Sequence, residues 1–434
     1  MSPVVWPHRT SSLAGKIPPL EPVMMNAKDF QVNTPARPQA PTKNAANQRA
    51  NSAQEKRTYH IVMAGGGTGG HLYPGLAVAE ALQELLGDRI TLTWAATPRP
   101  VDQRLLSGFG DRYVQQTVQP LVKKISKMWG FWQGWRQSTR YWKHQFAQHK
   151  PDAVLALGGY AAGPAAYVAG KFGVPMALLN PDALPGLANR FLLKRADRIF
   201  SQWELPAEMT TGLKGQVRPI GCPIRTSLLG RTRESGAQRL GIDPERPVLV
   251  VTGASLGAKT INDAMLELLK DEEIRTALIE GAWQIVHLAG LEQAAAVKAA
   301  YEPILDVAWK VMDYCDDMAS VWAVADFAIA RAGASTCAEL TACGVPSMLL
   351  PYPFHRDLHQ RANAMQLVNA GAAVLVDDEK DAAKNAAAMK QPLLALLYDG
   401  TQRLEMADKS QVAGKPHAAR DIAAELVALA SDQS

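Results

Sequence analysis

The chain has 434 residues, of which 47% are hydrophobic and 20% charged, and its formal net charge is +5. This length allows two globular domains with sizeable cores, and the absence of an apolar run of about 18 residues excludes a membrane-spanning helix. The four cysteines lack CxxC spacing, which excludes a zinc knuckle and a disulfide framework and predicts reduced thiols in a cytoplasmic protein.

Two different kinds of sequence follow one another along the chain. Residues 1–57 are rich in Pro, Ala, Asn and Gln and predict a disordered extension. From Tyr59 onward, short apolar runs alternate with helical stretches, which is typical of parallel sheets covered by helices on both faces. The pattern predicts an α/β fold with two doubly wound domains that join near residues 217–226. We place the N-terminal domain at 58–221 and the C-terminal domain at 222–434, whose last helix can cross back.

Glycine-rich corners each follow an apolar strand and precede a helix. They read GGGTGG at 65–70, GGYAAGP at 158–164, GASLGAK at 253–259 and RAGAS at 331–335. Such a turn directs backbone N–H groups and the positive end of a helix at one point, which suits a phosphate or a developing oxyanion. Together the corners predict a cleft that binds a ligand with phosphates and hydroxyls. A dinucleotide site is the alternative for 65–70, but no acidic residue ends the next strand to bind a ribose.

Two later segments carry polar side chains that suit a nucleotide sugar. In 331–353, Ala334, Ser335 and Thr336 stand at a predicted helix start and Glu339 about one turn further, where a carboxylate can accept bonds from ribose hydroxyls. A helix-capping acid is the alternative there. The segment 355–364 clusters His355, Asp357, His359, Gln360 and Asn363. Because no HExxH-like shell is present, this cluster predicts recognition of sugar hydroxyls and no metal. A polar, solvated loop is the alternative.

The stretch 121–150 combines aromatic and basic residues without any acidic one. Its large side chains lie on one helical stripe: Met128, Trp132, Trp135, Trp142 and Phe146. This composition predicts contact with an anionic membrane surface. A helix whose stripe faces the core is the alternative. A single-stranded nucleic-acid platform is a third interpretation, but nothing else in the chain supports it, so we expect no nucleic-acid partner.

Several segments resemble the MurG family of N-acetylglucosaminyltransferases, glycosyltransferase family 28, in order and spacing. They are GGGTGGHLYPGLAVAEAL, LGGYAAGP, PGLANR, GCPIRT, GASLGAKTIN, DDMASVWAVAD, RAGASTCAEL and HRDLHQRANA. The resemblance implies a GT-B fold of two Rossmann-like domains facing across a cleft, which needs no metal or other cofactor. It implies a UDP-N-acetylglucosamine donor bound mainly by the C-terminal half, and a lipid I acceptor bound by the N-terminal half. The product would be lipid II for peptidoglycan, made peripherally at the cytoplasmic face of the cell membrane.

The resemblance also implies roles for individual residues. Thr68, Gly69 and Gly70 would line the catalytic cleft with His71 beside them, and Arg225 and Ser255 would face the donor diphosphate and sugar. We assign the role of general base to His71. The backbone at Cys315 would meet the uracil edge, Ala334, Ser335 and Thr336 would hold phosphate, and Glu339 would take the ribose hydroxyls. Gln360, with His359 and Asn363, would recognise the sugar.

The chain departs from the family pattern at several of these positions. Where the family has His-Glu-Gln-Asn, residues 179–182 read Leu-Asn-Pro-Asp, so Asp182 replaces two amide donors with a charge in the cleft. Cys222 stands for a family Asn and Leu256 for a Gln. The predicted function is therefore an inverting transfer of N-acetylglucosamine to lipid I. A related transferase with another lipid acceptor, and a catalytically weak scaffold that binds UDP-sugar at the membrane, remain the alternatives.

Overall fold

The computed structural model describes residues 57–120, 125–253, 257–303, 306–354 and 358–432. These residues belong to one compact unit, 56–434. The predicted extension 1–57 lies outside the described residues except for Arg57, and so do Ser255, Leu256, His355 and Asp357.

A parallel sheet of seven strands forms the first half, in the order β3-β2-β1-β4-β5-β6-β7. Its strands are β1 (Tyr59–Gly65), β2 (Ile90–Ala96), β3 (Tyr113–Gln115), β4 (Ala153–Gly158), β5 (Met176–Asn180), β6 (Arg198–Ser201) and β7 (Gln216–Arg218). Its helices are α1 (Gly69–Leu86), α2 (Pro100–Leu106), α3 (Ile125–Gln148), α4 (Ala162–Phe172), α5 (Leu187–Leu193) and α6 (Ala207–Thr210). The central strands are apolar and buried because helices cover both faces of the sheet.

A second parallel sheet of six strands follows, in the order β10-β9-β8-β11-β12-β13. Its strands are β8 (Val248–Thr252), β9 (Gln284–Leu288), β10 (Ala308–Met312), β11 (Phe327–Ala330), β12 (Ser347–Leu349) and β13 (Ala373–Leu375). The helices of this half are α7 (Arg233–Leu240), α8 (Lys259–Leu268), α9 (Glu272–Glu280), α10 (Ala294–Tyr301), α11 (Met318–Val324), α12 (Ala334–Cys343), α13 (His359–Asn369), α14 (Ala382–Tyr398) and α15 (Gly400–Ala413). The two sheets confirm the predicted pair of doubly wound domains.

The last helix, α16 (Ala418–Ser431), packs against the first sheet rather than the second. Ile422 and Leu426 are buried in the same cluster as Leu82 of α1 and Leu155 of β4. The polypeptide thus returns to the first half after completing the second, and its apolar face covers part of that sheet.

The aromatic stripe of α3 divides into a buried part and an exposed part. Trp142 and Phe146 are each 2% exposed and pack against α4, and the Trp142 indole N–H donates to Gln116 Oε1 at 3.0 Å. The prediction of one membrane-facing stripe is therefore wrong for these two residues, because small side chains on α4 leave room for large ones on α3. Trp132 remains 53% exposed, as does its neighbour Trp129 at 78%, which the stripe did not include.

The other two stripe residues of α3 also differ in burial. Met128 is also exposed, whereas Trp135 is half-buried and its ring lies 5.9 Å from that of Tyr167. Within the described residues, no helix is long and apolar enough to cross a membrane.

Candidate functional site

A cleft of about 560 Å³ lies between the two sheets. Its walls come from residues at or just after strand ends, among them Thr68, Gly159 and Asp182 from the first sheet and Thr252 and Gly333 from the second. In doubly wound folds this edge is where ligands bind, and the volume is that of a small-molecule site. Most of the predicted site residues line it: Thr68, Gly69, Gly70, His71, Asp182, Arg225, Cys315, Ala334, Ser335, Thr336, Glu339, His359 and Gln360.

The glycine-rich turn after β1 is held in place by Asp102 of α2. The backbone N–H of Gly67 donates to both carboxylate oxygens of Asp102 at 2.9 Å, and the N–H and hydroxyl of Thr97 donate to one of them. Gly66 has φ +153°, and a Cβ there would lie 2.3 Å from an Asp102 oxygen, so only glycine fits. Sequence reasoning missed Asp102. The acid that follows the second strand is buried beneath the turn, where it cannot face a ribose.

The helix that follows this turn presents its first amides to the cleft. Thr68 is the N-cap of α1, but its side chain makes no capping bond to the helix. The first intrahelical bonds come from the N–H groups of His71 and Leu72, so those of Gly69 and Gly70 precede them. These amides and the positive end of the 18-residue helix favour an anion at this wall of the cleft.

His71 stands beside the turn with one ring nitrogen engaged. Its Nδ1 lies 3.0 Å from Thr68 Oγ1, and Thr68 itself is exposed to the cleft. Burial lowers the pKa of His71, while the charge of Asp182, a hydrogen bond with the Gly66 backbone and the charge of Asp102 act in the opposite direction. The imidazole is therefore neutral at pH 7 and able to accept a proton.

Across the cleft, α12 begins with the predicted turn of small polar residues. Gly333 is its N-cap, and the buried Ser335 Oγ has no hydrogen-bond partner among the described residues. A buried hydroxyl without a partner is costly, and a phosphate oxygen at the helix start would satisfy it. One turn further, Glu339 Oε2 accepts a bond of 2.9 Å from the Trp322 indole N–H. Burial raises the pKa of Glu339, although this hydrogen bond and the charge of Arg225 oppose the effect.

Arg225 supplies positive charge between the two halves. Its guanidinium carbon lies 5.6 Å from the centre of the Tyr73 ring, and within the described ranges no carboxylate lies within 4.0 Å of its nitrogens. Tyr73 of α1 also reaches the other half, because its hydroxyl lies 3.1 Å from that of Tyr314. Sequence reasoning missed both tyrosines. Tyr73 stands just after the glycine-rich corner at 65–70 and Tyr314 beside Cys315, but neither position carried a chemical signal of its own.

Asp182 and Asn363 form a contact between the halves. Asn363 Nδ2 donates to Asp182 Oδ1 at 2.9 Å, and Asn363 Oδ1 accepts from the N–H of Ala183 at 2.8 Å. Asn363 also donates to the Ala332 carbonyl and is 0% exposed. Both the oxygen and the nitrogen of the Asn363 amide are hydrogen-bonded within the protein, and the residue does not line the cleft as the predicted sugar ligand. Its position instead holds the segment that carries Asp182.

Three further predicted residues, Cys315, His359 and Gln360, line the cleft from the C-terminal half. His359 and Gln360 begin α13, and Gln360 Oε1 accepts from the N–H of Tyr352 at 2.8 Å, which turns its amide nitrogen the other way. Cys315 is half-buried, and burial raises the pKa of its thiol. Ser255 lies outside the described residues. Among the described side chains, no group of three or more His, Cys, Asp or Glu is placed to hold a metal.

Comparison with known proteins agrees with this architecture. Residues 61–201 match the glycosyltransferase family 28 N-terminal domain and residues 248–426 match the family's C-terminal domain. The UDP-N-acetylglucosamine--N-acetylmuramyl-(pentapeptide) pyrophosphoryl-undecaprenol N-acetylglucosamine transferase of Desulforamulus reducens is 31% identical over 382 residues, which cover 83% of this chain and 96% of that protein. The transferase of the same name from Dechloromonas aromatica is 33% identical over 377 residues, covering 84% and 97%.

Solved structures show the same relationship. Acinetobacter baumannii MurG superposes with a TM-score of 0.64 at 27% identity, covering 85% of this chain and 99% of that one. UDP-GlcNAc 2-epimerase from Neisseria meningitidis, bound to UDP-GlcNAc, has a TM-score of 0.58 at 15% identity, covering 85% and 100%, and is alike in fold. With its paired domains, its cleft and these relatives, the chain belongs to glycosyltransferase family 28 and, within it, to the MurG family of N-acetylglucosaminyltransferases.

Proposed function

We propose that this hexosyltransferase moves N-acetylglucosamine from UDP-N-acetylglucosamine to lipid I with inversion, forming lipid II for peptidoglycan. One observation carries the proposal. The cleft combines anion-binding helix starts from both halves with a neutral histidine on one wall and a carboxylate on the other. The relatives named for this reaction support the choice of substrates, because this chain covers 96–97% of their length.

The donor is assigned to the C-terminal half. The first turn of α12, from Ala334 to Thr336, would bind a phosphate through its amides and the unpartnered Ser335 Oγ. Arg225 would offset charge on the departing diphosphate, and Glu339 would accept bonds from the ribose hydroxyls. The backbone at Cys315 would meet the uracil edge. The sugar would lie near His359 and Gln360, with Ser255 assigned to the same region by resemblance.

The acceptor is assigned to the N-terminal half. The amides of Thr68, Gly69 and Gly70 would face its diphosphate or the reacting sugar, as expected of a helix start. His71 would act as general base: the acceptor hydroxyl loses its proton as its oxygen bonds to the anomeric carbon, and UDP leaves with the electron pair of the broken bond. Asp182 lies beside this wall and would contact the sugars in the cleft.

We also propose peripheral attachment to the cytoplasmic face of the cell membrane through the start of α3. Met128, Trp129 and Trp132 expose apolar surface there, and Arg136 and Arg140 are exposed on the same helix. Aromatic and basic side chains together favour the interface of an anionic bilayer. A lipid-linked acceptor would then reach the cleft without leaving the membrane.

A turnover assay with two donors tests the function. Protein incubated with labelled UDP-N-acetylglucosamine and a lipid I analogue should yield a labelled lipid disaccharide and UDP. UDP-glucose should be a poor donor, because a pocket that pairs with the acetamido group is left with unmatched polar atoms. Folded protein that binds UDP yet gives no product from lipid I would refute the proposal. That result would favour another lipid acceptor or a binding scaffold. Asp182, which departs from the family pattern, is the residue that raises these alternatives.

A further inference from the structure

Two buried amide side chains join the segment 181–183 to the corner 332–334, and they come from opposite halves of the chain. The first is Gln202, which directly follows β6 and is 6% exposed. Because its amide lies beside two backbone carbonyls, the nitrogen must face them, and it donates to Pro181 at 2.8 Å and to Ala334 at 3.2 Å. One of these bonds stays within the first half, and the other crosses to the second.

Asn363 of α13 repeats this arrangement from the second half. Its Nδ2 donates to the Ala332 carbonyl at 3.1 Å within its own half and to Asp182 Oδ1 at 2.9 Å in the other. Its Oδ1 accepts from the N–H of Ala183 at 2.8 Å, and the side chain is fully buried. We call Gln202, Asn363 and the two segments that they join the amide seam.

The amide seam connects the two walls of the cleft between which the transfer is proposed to take place. Ala334 begins α12, whose first turn is assigned to a donor phosphate, and Asp182 lines the cleft from the first half. Asp182 is also held from its own side, because Asn180 Nδ2 donates to its backbone carbonyl at 2.7 Å. Side-chain hydrogen bonds from both halves thus link the phosphate-binding turn to the segment that carries Asp182.

We propose that Gln202 and Asn363 are positioning residues for the transfer, because they set the distance between the donor phosphate and the acceptor hydroxyl. This inference rests on the proposed function. In an inverting displacement the acceptor oxygen, the anomeric carbon and the leaving oxygen lie nearly in line, and a displacement of about 1 Å can lower the rate about a hundredfold. The seam resists such a displacement, since a buried carbonyl that loses its donor is costly.

The ratio of UDP released to disaccharide formed, measured with UDP-N-acetylglucosamine and a lipid I analogue, tests this role. Gln202→Met removes both bonds of that amide at nearly constant volume, and Asn363→Ala removes three. Each variant should lower kcat for the disaccharide about tenfold to a hundredfold. Each should also raise the ratio at least about threefold, because water can still attack when the acceptor hydroxyl is misplaced. The Kd for UDP should stay within about threefold of the wild-type value.

Asn385→Ala is the matched control for a merely structural role. Asn385 is also fully buried, and its amide donates to Asp378 Oδ1 and accepts from the N–H of Glu379, each at 2.8 Å, within the second half alone. This variant should lower the melting temperature, because it leaves buried polar groups without partners, but it should keep the wild-type ratio.

A paired substitution keeps the test usable if Asn363→Ala does not fold. Asn363→Asp alone places a second carboxylate against Asp182, so disaccharide formation should fall. Asp182→Asn added to it restores a donor and an acceptor across the seam. Disaccharide formation should then rise at least about threefold above that of Asn363→Asp alone.

Hydrogen exchange in the full chain without substrate gives a readout that does not depend on the reaction. In Gln202→Met the N–H of Ala183 should exchange faster than in the wild type, although its own acceptor on Asn363 is unchanged, because the seam opens as a unit. Wild-type exchange and a wild-type ratio in both seam variants would overturn the inference, and so would a lowered melting temperature with an unchanged ratio. Faster exchange at Ala183 in a protein that makes no disaccharide would support the coupling of the two segments while refuting the proposed reaction.

Discussion

The indole N–H of Trp322 donates a hydrogen bond of 2.9 Å to Glu339 Oε2. Trp322 belongs to α11 and is 2% exposed, so a rigid core side chain orients a carboxylate that lines the cleft. The bond leaves the other oxygen of Glu339 for a ligand. Two helices that are separate in sequence therefore build the proposed ribose contact together.

Glu339→Ala should weaken UDP binding about tenfold to a hundredfold, because charge-assisted bonds to the ribose of roughly 1.5–3 kcal/mol are lost. Calorimetric titration with UDP measures the effect. Trp322→Phe, which removes the N–H donor and also shrinks a buried ring, should weaken binding by a smaller factor, about twofold to tenfold. A folded Glu339→Ala protein with wild-type affinity for UDP would show that this carboxylate has no part in the donor site.

Asp182→Asn should change the rate with lipid I only modestly, since the amide keeps the shape and its oxygen can still accept from Asn363 Nδ2. The loss of a negative charge that favours protonation of His71 should also move the acidic limb of the pH profile to lower pH. Steady-state kinetics from pH 5 to 8 measure both. The control is Asn363→Ala, which removes the contact between the halves and should lower the rate with lipid I more than Asp182→Asn does. A large loss in Asp182→Asn alone would mean that the charge itself serves the acceptor.

His287 should make the protein less stable in acid. Its ring is buried between Tyr301 Oη at 2.7 Å and Asn262 Oδ1 at 3.0 Å, and burial lowers the pKa to about 3. Below pH 6.5 this histidine takes up a proton in the unfolded chain but stays neutral in the folded protein. The free energy of unfolding therefore decreases as the pH is lowered from 6.5 to about 3.

The size of this effect follows from the same pKa difference. Protonation of His287 in the unfolded chain should lower the free energy of unfolding by about 2 kcal/mol between pH 7.5 and pH 5. Denaturant unfolding at the two pH values measures it, and His287→Gln, although less stable at pH 7.5, should lose less on acidification. An equal loss in the wild type and the variant would assign the acid sensitivity to other groups.

Trp129→Ala combined with Trp132→Ala should reduce binding to anionic vesicles, because these exposed rings would otherwise enter the interface. Sedimentation with phosphatidylglycerol vesicles measures the loss, and high salt should release part of the wild-type protein. Leu291→Ala is the matched control, since Leu291 is 77% exposed in the other half. Equal sedimentation of the double variant and the wild type would exclude the start of α3 as the contact.

Chelation should leave the transfer rate nearly unchanged. The reason is that helix-start amides and Arg225, rather than a cation, are assigned to neutralise the departing diphosphate. Initial rates with and without EDTA measure the effect, and a known metal-dependent transferase is the positive control. Loss of activity in EDTA that magnesium or manganese restores would place a cation at the diphosphate.

Much of the fold could be read from local patterns. Continuous apolar strands that alternate with helices predict a parallel sheet, because strands in such a sheet are buried on both faces. The glycine-rich corners could also be recognised in the sequence. At Gly66 the turn leaves no room for a Cβ, so the fold requires a glycine there. Residues at the helix starts that follow the strands, such as Gly69 and Ser335, therefore line the cleft as predicted.

The sequence by itself thus determined the two sheets, their order of elements and the wall of amides around the cleft. Only the tertiary structure decided which polar side chains keep an atom available for a hydrogen bond to a ligand. Both polar atoms of the Asn363 amide bond to protein groups, among them Asp182 and Ala183, whereas Asn189 Oδ1 has no hydrogen-bond partner among the residues that the structure describes. The same holds for Trp142 and Trp132, which share one stripe but differ in burial. Hydrogen-bond satisfaction and burial depend on neighbours distant in the chain, and local periodicity does not encode those neighbours.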